Sequence, residues 1–277
     1  MTKAGVIGLG AIGSGVAICL ARADKLGPVY DVRPNACEGL PGVPSMSASP
    51  AKVARQTNVV IIAVVNADQV LDVLQGPNGV LSAARPDLTI VLVSTVAIEA
   101  LRNIRAIVNA AGVSLVDCGV TGGSQARNNG LVCLVGADPE LFEKVRPTLE
   151  GFAKSIYLMG GPNAGMAGKI ARNTVVFGAA RAGYEGAALA RAAGVDLKQL
   201  MDVMRDSAEG VGGPMLFMGM PDSSQSAEDA AKRKEFLRAL MVKDLDAALD
   251  LGKALGVELP LIQLTKDTDR QVVGITP

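Results

Sequence analysis

Histidine is the usual proton carrier near neutral pH, and this chain of 277 residues has none. Acid–base chemistry must fall to lysine, carboxylates, tyrosine or cysteine, and histidine-based triads and histidine metal sites are excluded. One lysine is marked out by its company. In Gly165-Met166-Ala167-Gly168-Lys169-Ile170-Ala171-Arg172-Asn173, Lys169 and Asn173 are four apart and share one face of a helix. The flanking glycines permit close approach. Near a helix N-terminus and partly out of water, a lysine has its charged form disfavoured and becomes usable as proton donor and acceptor. A lone helical lysine is ordinarily a solvated charge; the glycines and Asn173 weigh against that plainer role here.

A second group could hold phosphate. Gly8-Leu9-Gly10-Ala11-Ile12-Gly13 follows a strand-like run and opens a helix. Glycines serve there because the chain turns tightly, its backbone must approach a pyrophosphate, and the helix N-terminus offers N–H groups and positive dipole. Asp31 follows at the end of a second strand-like run, about 20 residues on, as the dinucleotide fingerprint requires. A carboxylate there accepts from ribose hydroxyls and repels a 2′-phosphate, which favours NAD over NADP. Arg33, two residues on, would welcome that phosphate, or serve as a solvated or adenine-stacking charge, so NADP stays open.

Asp117-Cys118-Gly119-Val120-Thr121-Gly122-Gly123 directly follows another strand-like run. Successive glycine amides beside a hydroxyl form a concave donor site for a carboxylate, and a tight turn without ligand reads equally well. Phe236 and Lys243-Asp244 read by themselves as an amphipathic helix surface with an adjacent ion pair.

The elements that would position these residues follow from periodicity. Apolar runs at 3–8, 28–32, Val59–Val65, Thr89–Val93, Ser114–Asp117 and Leu131–Val135 alternate with helical segments at Ile12–Ala23 and Pro50–Gln56, as in a parallel sheet. From Asn163 the texture becomes Ala-rich and proline-free, which predicts a long helix to about Ala193 with Gly194 as its C-cap. A loop is expected over 210–226 and helix again over Ala227–Gly256. The expected architecture is α/β, with a Rossmann dinucleotide-binding domain over 1–161 and an all-α domain over 162–277 that begins with a long interdomain helix.

Composition narrows the partners. Lys+Arg and Asp+Glu number 27 each, so no basic field attracts nucleic acid or anionic lipid. Hydrophobic residues at 49% and charged residues at 19% describe a compact soluble protein. Aromatics at 3%, with no Trp, argue against a stacking surface for bases or sugars. Four cysteines without CxxC spacing predict neither a disulfide framework nor a metal site. With no signal-peptide pattern and no run long enough to span a bilayer, the expected location is cytoplasmic.

Taken in order, the segments resemble the β-hydroxyacid dehydrogenase family, which includes 3-hydroxyisobutyrate dehydrogenase and the glyoxylate and succinic semialdehyde reductases. GVIGLGAIGSG resembles its cofactor turn, DCGVTGG its D-x-P-V-S-G-G segment, GMAGKIARN its catalytic segment and FLRALMVKDLDAAL its K-D-L helix. The resemblance implies Lys169 as acid/base and Asn173 as its substrate-orienting neighbour. Thr121, Gly122, Gly123 and Asp244 would bind substrate. Gly8, Gly10, Ala11, Ile12, Gly13, Asp31, Arg33, Val64, Val65, Asn66, Thr95 and Lys243 would hold the cofactor. Gly119 stands where the family usually has Pro, Thr121 where it usually has Ser, and Ser94-Thr95-Val96-Ala97-Ile98 departs from its S-T-x-x-P. DVRP at Asp31–Pro34 and VVNADQVLDVL at Val64–Leu74 resemble the branch acting on small polyhydroxy or amino-substituted acids, such as threonate dehydrogenase. Expected activities are oxidation of a small 3-hydroxy acid, reduction of a small aldehyde acid, imine reduction on the same scaffold, or cofactor binding without catalysis. The long Ala- and Gly-rich helix is not expected to bury its whole surface within one chain, and the resemblance implies a homodimer or homotetramer.

Overall fold

The structure is a computed structural model that describes residues 3–208 and 226–275. The loop expected over 210–226 therefore lies, except for Ser226, outside the described residues. The chain divides into two compact units, Met1–Arg172 and Asn173–Pro277.

The first unit is built on a seven-stranded sheet of order β2-β1-β3-β4-β5-β6-β7. Its strands are β1 (Ala4–Ile7), β2 (Leu26–Tyr30), β3 (Val59–Ile62), β4 (Thr89–Leu92), β5 (Ser114–Thr121), β6 (Leu131–Gly136) and β7 (Ala153–Gly160). β1 to β5 are mutually parallel, β6 turns antiparallel to β5, and β7 runs parallel to β6. β1, β3 and β4 are buried at every position, which is why they read as unbroken apolar runs. Helices α1 (Ala11–Arg22), α2 (Pro50–Gln56), α3 (Ala67–Gln75), α4 (Ile98–Ala110) and α5 (Pro139–Leu149) cover the sheet. One apolar cluster gathers Val16, Leu20, Val116 and Phe142, and another Leu74, Ile90, Leu101 and Met166. Local chemistry sets the helix starts: Ser49 accepts from Lys52 N–H and Asn66 from Gln69 N–H.

Strand limits differ from the sequence reading in ways that matter for the site. β2 ends at Tyr30, so Asp31 lies beyond the strand, and β3 ends at Ile62, so Ala63–Asn66 have left the sheet. β5 runs on to Thr121, pairing Gly119 with Leu134 and Thr121 with Val132. The Asp117–Thr121 stretch is therefore ladder, not a turn; an antiparallel partner extends pairing past the glycine where a local reading stops. β7 has no counterpart in the sequence reading, because as an edge strand it is mostly half-exposed or exposed and shows no buried run.

The second unit is helical as described, with most of α6 (Ala164–Ala192), then α7 (Leu197–Ala208), α8 (Ala227–Leu255), α9 (Pro260–Asp267) and α10 (Asp269–Val272). Gly194 (φ 74°) closes α6 by donating to Arg191 O at 3.1 Å, while Val195 N–H reaches Ala190 O at 2.8 Å. That is the Schellman arrangement, and it requires the left-handed residue that glycine supplies. Buried Glu185 on α6 accepts from Arg181 Nε at 2.7 Å and from the N–H groups of Leu261 and Ile262 at 2.9 and 3.2 Å, so it caps α9 from a distance. Among the described residues no helix is long and apolar enough to cross a membrane.

Candidate functional site

At the carboxyl ends of β1, β2 and β3, where the strand order reverses, a cleft of about 800 Å³ is lined by Gly8, Gly10, Asp31, Val32, Val64 and Val65, among others. The turn from β1 into α1 explains its glycines one by one. Gly8 has φ 90°, and a Cβ there would meet Ala63 O at 2.5 Å. A Cβ on Gly13 would overlap Gly8 O, whereas one on Gly10 meets nothing within 4 Å. Packing thus requires the outer glycines and leaves Gly10 facing open space, as a backbone approached by a ligand would. No side chain caps the α1 N-terminus and no acidic residue stands in its first turn, so its N–H groups and dipole are available to an anion.

Asp31 is held firmly. Leu9 N–H donates to Oδ2 at 2.7 Å, Arg33 N–H and Nε to Oδ1 at 2.9 Å, and Arg33 Nη2 to Oδ2 at 3.0 Å. Burial favours the protonated acid, but the bonds from Arg33 and Leu9 outweigh it and bring the carboxyl down to about 2. Val32 and Val65, 82% and 80% exposed, offer apolar surface in the same cleft. Val64 N–H donates to buried Ser94 Oγ at 2.9 Å, Val65 N–H donates to Gln69 Oε1 at 2.9 Å, and the Asn66 side chain caps α3. Thr95 is exposed and follows Ser94 directly. An uncapped helix start, an open glycine and an anchored carboxylate together fit a dinucleotide.

Lys169 lies on α6 above β5. It is 8% exposed, and burial, aided by the Arg172 charge, pushes its proton affinity down. The start of its helix is fixed by Asp117, a fully buried carboxylate at the level of β5. Asn163 N–H donates to Asp117 Oδ1 at 2.8 Å, Met166 N–H to Oδ2 at 2.9 Å and Arg105 Nη2 to Oδ1 at 2.7 Å. Arg105 also donates to Leu115 O at 2.7 Å and to Asn163 Oδ1 at 3.2 Å, tying α4, β5 and the start of α6 together. Close approach of α6 to the sheet depends on small residues: a Cβ on Gly165 would meet Gly136 N at 2.5 Å and Asp117 O at 2.7 Å.

The Thr121–Gly123 segment stands beside the cofactor turn. Gly122 (φ 83°) leads β5 into the 3-10 turn Gly123–Asn128, and a Cβ on Gly123 would meet Ile12 Cδ1 at 3.1 Å. Two segments more than a hundred residues apart in sequence are therefore neighbours. Thr121 is half-buried; Gly122 and Gly123 are exposed. Cys118 is no nucleophile: its hydrogen bond with Cys133 and its burial push the thiol well above its ordinary range.

The remaining candidates belong to the second unit. Asn173 follows Lys169 by one turn on α6, and Lys243 and Asp244 lie exposed on α8, paired with each other at 3.3 Å. No local sequence signal marks Arg105, or Asp117 as a helix cap. Asp117 was visible as a polar residue ending an apolar run, but nothing in the sequence points from it to Arg105.

Residues 3–161 match the family model of the NAD binding domain of 6-phosphogluconate dehydrogenase, and residues 163–273 that of NAD-binding of NADP-dependent 3-hydroxyisobutyrate dehydrogenase. The chain is 34% identical over 271 residues to 2-hydroxy-3-oxopropionate reductase of Escherichia coli K12, covering 93% of this chain and 87% of that one. It is 30% identical over 261 residues to L-threonate dehydrogenase of Escherichia coli O6:H1, covering 93% and 84%. A solved structure from Mycobacterium avium 104, assigned to the oxidoreductases, superposes with a TM-score of 0.86 at 30% identity over 100% of both chains.

Proposed function

The chain belongs to the β-hydroxyacid dehydrogenase family of NAD(P)-dependent oxidoreductases, and from that premise we propose that it interconverts a small 3-hydroxy acid and its carbonyl form, with Lys169 as general acid/base. The observation that carries this reading is the burial of Lys169 on a helix start pinned by Asp117, in the same unit as the dinucleotide cleft. The nicotinamide, when bound, takes up or returns the hydride of the carbinol carbon.

The chain's own residues supply the rest. Backbone groups of Gly8, Gly10, Ala11, Ile12 and Gly13 would hold the pyrophosphate, and Asp31 would accept from the adenosine ribose hydroxyls, which favours NAD. Arg33 would neighbour that ribose, Val64, Val65, Asn66 and Thr95 would flank the cofactor, and Lys243 would help to hold it. Thr121, Gly122 and Gly123 bind the substrate carboxylate, and Asn173 and Asp244 orient the substrate. In oxidation the neutral Lys169 amine accepts the hydroxyl proton; in reduction its ammonium returns one to the carbonyl oxygen, so the same residues serve an aldehyde acid. Retention of Lys169 counts against imine reduction. Residues 162–277 would serve substrate binding and pairing with a second copy. Phe177 and Tyr184 on α6 and Met201 and Met204 on α7, 63–68% exposed, support that pairing.

The test is the initial rate of NAD reduction, with NADP in parallel, on serine, 3-hydroxyisobutyrate, glycerate, threonate and 4-hydroxybutyrate. Lys169→Ala should lower turnover by about two to four orders of magnitude while dinucleotide binding persists. Because the neutral amine is the base, oxidation should rise with pH and reach half its maximum below the ordinary lysine value of 10.5. Unchanged turnover in Lys169→Ala would sink the assignment.

A further inference from the structure

We infer that Gly119 is a positioning residue for Lys169, giving the lysine stem room to lie directly on the β5 backbone. The inference rests on the reading of Lys169 as acid/base.

Gly119 departs from the family's usual Pro, and in this chain it has no local reason to be a glycine. Gly119 sits inside β5, paired in regular register with Leu134, and its φ is not positive. Any residue could adopt that backbone, and glycine in a strand interior is destabilising relative to alanine. What distinguishes the position is what lies above it. A Cβ on Gly119 would overlap Lys169 Cβ and stand 3.1 Å from both Lys169 Cγ and Gly165 O.

Helix and strand keep step here. Gly165 packs on Asp117 and Lys169 on Gly119. Four helical residues advance about 6 Å and two strand residues about 6.6 Å, so the pairs 165/117 and 169/119 stay aligned. Asp117 fixes the first pair by hydrogen bonds to the helix start, and the missing side chain at 119 permits the second. Where the stem leaves the helix, it is therefore bounded by β5 main chain, and its amino group is carried from a fixed origin. A methyl group at 119 would fall short of ordinary contact with Lys169 Cβ by about 1 Å. Either the stem or the helix start must move by that amount. A misplacement of about 1 Å can cost a catalytic group about a hundredfold in rate.

The experiment is a pair of cycles on the full chain. In the first, Gly119→Ala is made in the wild-type and Lys169→Ala backgrounds, and kcat is read on the acid selected by the NAD-reduction panel. The expected result is a loss of about a hundredfold in the wild-type background, an unchanged Kd for NADH, and less than about a threefold effect once the lysine is gone. Equal loss in both backgrounds overturns the inference. In the second cycle, thermal midpoints are compared for Gly119→Ala in the wild-type and Lys169→Gly backgrounds; the latter removes the Cβ that would collide. Gly119→Ala should lower the midpoint by about 4–8 °C in the first background and by under about 2 °C in the second. Equal shifts overturn the contact itself, including where the single variant folds poorly. A fully active Lys169→Ala would instead remove the acid/base reading, leaving the melting cycle to judge the packing alone.

Discussion

Asp117→Ala is the most informative perturbation of the first unit. The carboxylate is fully buried and receives Arg105 Nη2 at 2.7 Å, Asn163 N–H at 2.8 Å and Met166 N–H at 2.9 Å. Truncation leaves the Arg105 guanidinium, whose side chain is only 14% exposed, without its carboxylate, and uncaps the start of α6. Breaking a buried pair from one side costs about 3–5 kcal/mol, of which about 1 kcal/mol is the helix cap. For a unit of this size that lowers the thermal midpoint by about 6–20 °C. Arg105→Ala should cost less, because Asp117 keeps its two backbone donors. The double variant should then lose about 2 kcal/mol less than the sum of the singles, since no buried charge is left without a partner. Urea unfolding followed by circular dichroism at 222 nm measures all four corners. A loss under about 1 kcal/mol for Asp117→Ala, or strict additivity, would refute the claim that this pair pins the helix carrying Lys169.

Two further outcomes follow from the cofactor turn. Gly10→Ala should leave thermal stability unchanged, since its Cβ meets nothing within 4 Å, but weaken NADH binding at least about tenfold by filling the approach to the pyrophosphate. Gly13→Ala should lower stability, because its Cβ overlaps Gly8 O; the opposite pattern in melting and fluorescence titration would contradict the turn geometry. The Asp31 carboxyl is depressed from 3.8 to about 2, so its stabilisation is fully present above 3.8 and lost as pH falls toward 2. Because Arg33 is 62% exposed and screened by solvent, the contribution is small. Melts of Arg33→Ala and wild type from pH 6 to pH 2 should therefore differ above pH 4 and converge near pH 2, and a difference independent of pH would rule out the ion pair as its source.

The sequence by itself determined what depends on neighbours along the chain. The Gly8–Gly13 turn, the spacing to Asp31, the long helix ending on Gly194 and the shared helix face of Lys169 and Asn173 are consequences of backbone freedom and helical period, and both are local. Tertiary structure decided what depends on residues far apart. Asp117 caps a helix start 46 residues away, and Arg105, which completes that cap, sits on α4 with no local mark of its role. Pairing with β6 carried β5 through Gly119 to Thr121, turning an expected loop into ladder. The same pairing set Gly119 beneath Lys169 and Gly123 beside Ile12. Periodicity reports which face of an element is apolar, and it carries no information about which distant residue will meet that face.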